Sequence, residues 1–66
     1  MNVRSYRKNR SLIEKVILSD KYDILIIQET WMKQPVAIPD TGYKVIDMLS
    51  NQSKGLGIRI LIRQSI

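Results

Sequence analysis

The chain has 66 residues, 44% of them apolar or aromatic, and contains neither Cys nor His. A chain this short buries only about 60% of the surface it exposes when unfolded, and without Cys or His it lacks both a disulfide and an ordinary zinc staple. More than one domain is excluded, and so is a self-contained enzyme with a deep, walled cleft. Eleven Lys and Arg against six Asp and Glu leave a net charge of +5, which favours polyanionic partners without naming one.

The longest aliphatic run, Ile24-Leu25-Ile26-Ile27, is far short of the ~20 residues that cross a bilayer as a helix. Arg4, Arg7, Lys8 and Arg10 break up any apolar N-terminal segment of the secretory kind. With the absence of Cys, these features lead us to expect an intracellular chain, nuclear or cytoplasmic, with no membrane partner.

In chain order, Asn2-Val3-Arg4 is expected to be a short first strand, cut off on its N-terminal side. Residues 9–19 read as a helix, because Leu12, Ile13, Val16 and Ile17 fall on one stripe. Ser11 and Glu14 have capping-box spacing, and Asn9 is an alternative cap. Arg7, Lys8 and Arg10 lie near the positive end of the helix dipole, a mild conflict. Asp23 to Glu29 reads as a strand whose four consecutive aliphatics call for cover on both faces. Gln28, Glu29 and Thr30 stop it with polar groups.

Trp31 to Gly42 holds Pro35, Pro39 and Gly42 and reads as a loop. Tyr43–Leu49 and Leu56–Arg63 are expected as strands, joined across the polar turn Ser50–Gly55 into an antiparallel hairpin. In the last strand, alternation puts Ile58, Ile60 and Ile62 on one face, with Arg59 and Arg63 on the other. A right-handed crossover would set the first two strands parallel. Their C-terminal ends, with Asn2 and Glu29, would then share the rim where open α/β sheets gather ligands.

Glu29 is the residue of chemical interest, a carboxylate fixed directly after four buried aliphatics. Such a group can hold a hard cation, and magnesium sites often use one or two protein carboxylates plus water and phosphate. A strand-end acid facing water is the plainer reading. The cations Arg4, Arg7, Lys8 and Arg10, with Tyr6 among them, have the composition of a nucleic-acid surface, although charge runs are commonly just solvated. Trp31 is expected to pack rather than to stack on a base, and Asp20 and Asp23 to cap or solvate the strand start. Catalysis by a Ser–His or Cys–His pair is excluded without His. Gly55-Leu56-Gly57 lacks the third Gly and the following helix of a dinucleotide loop.

Asn2-Val3-Arg4-Ser5, the helix, the stretch from Tyr22 through Asp23-Ile24-Leu25-Ile26-Ile27-Gln28-Glu29-Thr30-Trp31, Gly42-Tyr43 and Lys54-Gly55-Leu56-Gly57-Ile58 together resemble the opening of a known domain. The family is the endonuclease/exonuclease/phosphatase family, in particular the apurinic-type endonuclease domains of non-LTR retrotransposons. The resemblance spans residues 2 to about 63 and rests most on the D-I-L-x-x-Q-E-T-W stretch together with the upstream N-V-R-S.

It implies an α/β fold, the N-terminal portion of a four-layered α/β sandwich built as strand, helix, strand and hairpin. It also implies hydrolysis of DNA phosphodiester bonds with magnesium or manganese. Glu29 matches the family's metal-binding glutamate, and Asn2 its active-site asparagine. The later catalytic tyrosine, the Asp-x-Asn pair and the closing Asp-His pair of the family have no counterpart here. The expectation is therefore a partial domain over 1–66 that does not nick DNA by itself. The alternatives are a small basic nucleic-acid-binding module or a remnant without function. Self-association through exposed strand edges is a further expectation.

Overall fold

The computed structural model describes residues 1–39, 42–50 and 56–64. They form one helix, α1 (Arg10–Leu18), and three strands, β1 (Ile24–Gln28), β2 (Tyr43–Met48) and β3 (Ile58–Arg63). The sheet has the order β1-β3-β2, and both pairings are antiparallel. β2 and β3 are the arms of the expected hairpin. Of its turn, residues 51–55 lie outside the described residues, and with them Lys54 and Gly55.

The expected first strand is reduced to a single parallel bridge between Asn2 and Gln28. Val3 N–H donates to the Gln28 carbonyl at 3.0 Å, and Gln28 N–H donates to the Met1 carbonyl at 2.6 Å. Regular strand pairing stops there because Arg4 and Ser5 take positive φ values, 43° and 97°, although Ser5 and Tyr6 go on to bond the residues that follow β1. Side chains disfavour that region, so a strand pattern would not anticipate the break. The expected parallel relation to β1 is kept, over one bridge.

α1 starts and ends one residue inside the predicted helix. It buries Ile13 and Ile17, while Leu12 and Leu18 are more than half exposed, so the apolar stripe is narrower than its sequence. Neither expected cap forms. The Asn9 amide instead donates to the carbonyls of Val3 (2.7 Å) and Ser5 (3.2 Å), and Glu14 pairs with Arg10 at 2.9 Å. Asn9 thereby ties the helix start back to the N-terminal segment.

Ile13 and Ile17 join Val3, Tyr6, Ile27, Met32, Val36, Tyr43 and Leu61 in one core. Alternation gives the sheet an inner face, with Leu25, Ile27, Tyr43, Val45 and Leu61 against that core, and an outer face. One expectation is corrected here, and one face is identified. Tyr6 is fully buried rather than a surface aromatic among cations. Arg59 is 1% exposed and lies on the inner face. It forms a two-toothed ion pair with Asp47, Nε to Oδ1 at 2.6 Å and Nη2 to Oδ2 at 2.8 Å, and its guanidinium carbon stands 4.9 Å from the centre of the Tyr6 ring. Burial is the largest single influence on the Arg59 pKa and pulls it down, but the interactions with Asp47 and Tyr6 together outweigh it, so the group sits above its ordinary value and stays charged.

Among the described residues, the cover expected on both faces of β1 exists on one only. Ile27 is buried, whereas Ile24 and Ile26 are about half exposed.

Candidate functional site

β1 gives way to an unusual ribbon. Glu29 and Trp31 both adopt left-handed backbone, with φ of 54° and 55°, a conformation that costs a non-glycine residue on the order of 1–3 kcal/mol and persists only where neighbours over-determine it. The neighbours here are two flanking segments. On one side Ser5 and Tyr6 N–H groups donate to the carbonyls of Glu29 (2.9 Å) and Thr30 (2.8 Å). On the other, Thr30 and Trp31 N–H groups donate to Gly57 (3.1 Å) and Leu56 (3.0 Å).

Gly57 is required for this clamp. Its φ is +115°, and a Cβ there would stand 2.6 Å from Thr30 Oγ1. Gly57 therefore permits the close passage of two backbone segments, which is a different use from the phosphate loop that glycine spacing can suggest.

The kink presents the Glu29 side chain to the segment bearing Asn2, whose side-chain amide donates to Glu29 Oε2. The two residues expected to meet at one rim do meet. Beside them opens a groove of about 500 Å³, lined by Asn2, Gln28 and Glu29 on one side and by residues such as Met48, Leu49 and Gly57 on the other. Its wall is largely apolar, and its acid stands at one end.

The electrostatic setting of Glu29 differs from that of every other described acid. Glu14 pairs with Arg10, Asp47 with Arg59, and Asp20 and Asp23 both with Arg63. Among the described residues Glu29 alone has no cation within ion-pair distance, in a chain that carries eleven. Its partner is a neutral amide. No group of three or more Asp or Glu gathers among the described residues, so a cation at this rim would have Glu29 as its one carboxylate, with the Asn2 amide beside it. That donor set suits a hard cation of the magnesium kind, which keeps several waters and takes one or two protein carboxylates.

The remaining site expectations divide. Arg4, Arg7 and Lys8 are exposed, with no ion pair among the described residues. Arg10 is engaged by Glu14 and reaches the Ala37 carbonyl at 3.4 Å, so its charge is partly spent on the fold. Trp31 is 44% exposed, less packed than expected. Asp20 and Asp23 are largely exposed at the strand start, in line with the solvated reading, and both pair with Arg63. Sequence reasoning passed over the Arg59–Asp47 pair, although opposite charges on adjacent arms of a hairpin are a recognisable cross-strand signal.

No protein-family model, curated protein or solved structure matches this chain. No helix among the described residues is long and apolar enough to cross a membrane.

Proposed function

We propose that this chain carries the metal-and-phosphate corner of a magnesium- or manganese-dependent phosphodiesterase acting on DNA, in the manner of the endonuclease/exonuclease/phosphatase family that its sequence resembles, and that it belongs to the four-layered sandwich of that family. The supporting observation is Glu29: an acid without a cationic partner among the described residues, set by a left-handed kink at a groove that it helps to line and hydrogen-bonded to Asn2.

In this reading Glu29 holds the cation through its carboxylate. Asn2 holds Glu29 through its amide N–H and is itself held by the bridge to Gln28; in this reading it is the second polar group offered to an incoming phosphate. When bound, a divalent cation supplies charge neutralisation and polarisation of a phosphoryl oxygen. The kinked ribbon of residues 29–31 holds the carboxylate without rearrangement, and such preorganisation is where a fixed site gains its effect.

The proposal separates binding from turnover. The sequence contains no His to serve in the family's His–Asp base, so the chain by itself binds the cation but does not nick DNA above background. Calorimetric titration with magnesium or manganese is expected to show one weak site, weakened at least about tenfold in Glu29→Gln, the order expected when a sole carboxylate ligand is removed. Unchanged binding in that variant overturns the assignment of Glu29. Nicking of supercoiled plasmid that is lost in Glu29→Ala overturns the view that the chain alone is inert.

A second reading draws on Arg4, Arg7 and Lys8, which stand exposed and unpaired among the described residues. In it the chain is a small basic module that holds nucleic acid by its backbone. It predicts a log–log salt slope of about −2 to −3 for duplex DNA, as three neutralised phosphates require, which flattens when the three cations become Gln. Affinity indifferent to both changes removes this reading.

A further inference from the structure

The ribbon that leaves β1 alternates in burial. Thr30 and Met32 are buried, Glu29 is half-buried and Trp31 is exposed. Glu29 and Trp31 therefore share the outward side, and two residues of chain separate their Cα atoms by at most about 7 Å. Trp31 is the chain's one tryptophan, a residue type that is highly buried on average, yet here it stands at the surface. Its backbone is fixed there, because its N–H donates to the Leu56 carbonyl at 3.0 Å. Leu56 in turn lines the groove beside Glu29.

The opposite flank of the ribbon is basic. Ser5 and Tyr6 N–H groups bond the carbonyls of Glu29 and Thr30, which lays the segment bearing Arg4, Arg7 and Lys8 along it. All three cations are exposed and without an ion pair among the described residues. Lys33, two residues beyond Trp31, is exposed as well. Among the described residues, the guanidiniums that cover rings are those of Arg59 and Arg63, over Tyr6 and Tyr43 rather than Trp31.

We infer that Trp31 is a stacking platform for an unpaired base, and that the nucleic acid this chain holds is single-stranded at that point. One exposed apolar side chain is ordinary by itself. What sets Trp31 apart is its company on one short ribbon, an acid on its own side and a basic segment along the flank. An aromatic face beside cations that follow the phosphates is how single strands are gripped with little regard to sequence. In a duplex each base is already stacked on its neighbours, so the platform discriminates by form.

The inference rests on the nucleic-acid partner of the proposed function and narrows it. Glu29 and Trp31 lie within the span of one nucleotide. A strand whose phosphate sits at Glu29 can therefore lay the adjoining base, out of its stack, on Trp31. Arg4, Arg7 and Lys8 hold the backbone and are indifferent to whether a base is present.

Fluorescence of the sole tryptophan reads the contact directly. The full chain is titrated in EDTA and low salt with a short oligothymidylate and with an abasic strand of the same length. The oligothymidylate is expected to quench Trp31 and to bind at least about fivefold tighter than the abasic strand, the lower end of what one stacked base supplies. The same strand paired with its complement should quench no more than the abasic one. By anisotropy of a labelled strand, Trp31→Phe should keep the preference and Trp31→Ala should lose it. Equal affinity for the two strands, equal quenching by the duplex, or a wild type that binds neither strand overturns the inference. Should Trp31→Ala fail to fold by circular dichroism, the comparison of strands on the wild type decides. Because these titrations contain no divalent cation, they separate this inference from the assignment of Glu29. A base preference without any cation site sinks that assignment alone, and a cation site without a base preference sinks this inference alone.

Discussion

The two ends of β1 both present acids, and they are treated in opposite ways. At the start, Asp20 and Asp23 converge on Arg63, which also donates to the Tyr22 carbonyl at 2.9 Å and faces the Tyr43 ring at 5.3 Å. At the far end, Glu29 receives one neutral amide and faces a groove. In a chain with net charge +5, placing a guanidinium by Glu29 would be easy. Its absence among the described residues is the contrast on which the proposed cation site rests. The Arg63 end is structural by the same comparison: hydrogen bonds to Asp20 and then Asp23 raise the Arg63 pKa and keep its charge in place.

The largest expected effect tests the acids that are already neutralised. Asp47→Ala would leave Arg59 buried without its counter-ion, a change that costs about 3–5 kcal/mol. A core of this size rarely supplies more than about 3–5 kcal/mol in total. We therefore expect the variant to be unfolded at 25 °C by circular dichroism. A cooperative melt near that of the wild type would show that the pair contributes little.

Next comes the clamp that shapes the other end. Gly57→Ala meets Thr30 Oγ1 at 2.6 Å and must also hold a φ of +115°. It is expected to cost about 1–3 kcal/mol, read as a lower midpoint in urea, and to weaken cation binding as the ribbon of residues 29–31 shifts. Lost stability with untouched cation binding would separate the clamp from the site.

Arg63→Met reverses the treatment of the first end. Its ion pairs are exposed, so the melting temperature should fall by less than in Gly57→Ala. Freeing Asp20 and Asp23 should add a second, weaker cation site in the same calorimetric titration. If no second site forms, pairing with Arg63 is not what distinguishes the two ends. Glu29→Gln should change stability least, within about 0.5 kcal/mol, as for surface substitutions in general. Marked destabilisation would make Glu29 a structural residue.

Much of this was legible in the sequence. The periodicity of Leu12 to Ile17 located α1, the four aliphatics from Ile24 located β1, and the polar stop at Gln28 placed Glu29 at a rim. The crossover argument brought Asn2 to the same rim, where the structure joins the two side chains. What alternation cannot supply is the choice of inner face. It correctly separated Ile58, Ile60 and Ile62 from Arg59, but hydrophobicity argued for burying the isoleucines. The fold buries Arg59 instead, because Asp47 stands opposite it in the hairpin register and Tyr6 lies against it. The left-handed backbone at Glu29 and Trp31 had no warning either, since neither is Gly or Asn and the bonds that hold them come from residues 5–6 and 56–57.

The most direct test of the central claim is manganese titration of the isotopically labelled chain, followed by paramagnetic broadening of its amide resonances. Broadening at the lowest manganese additions should centre on Asn2, Glu29 and Gly57, spare Asp20 and Asp23, and vanish in Glu29→Gln. Broadening that begins at Asp20 and Asp23, or that persists unchanged in Glu29→Gln, would contradict the assignment of this rim as the cation site.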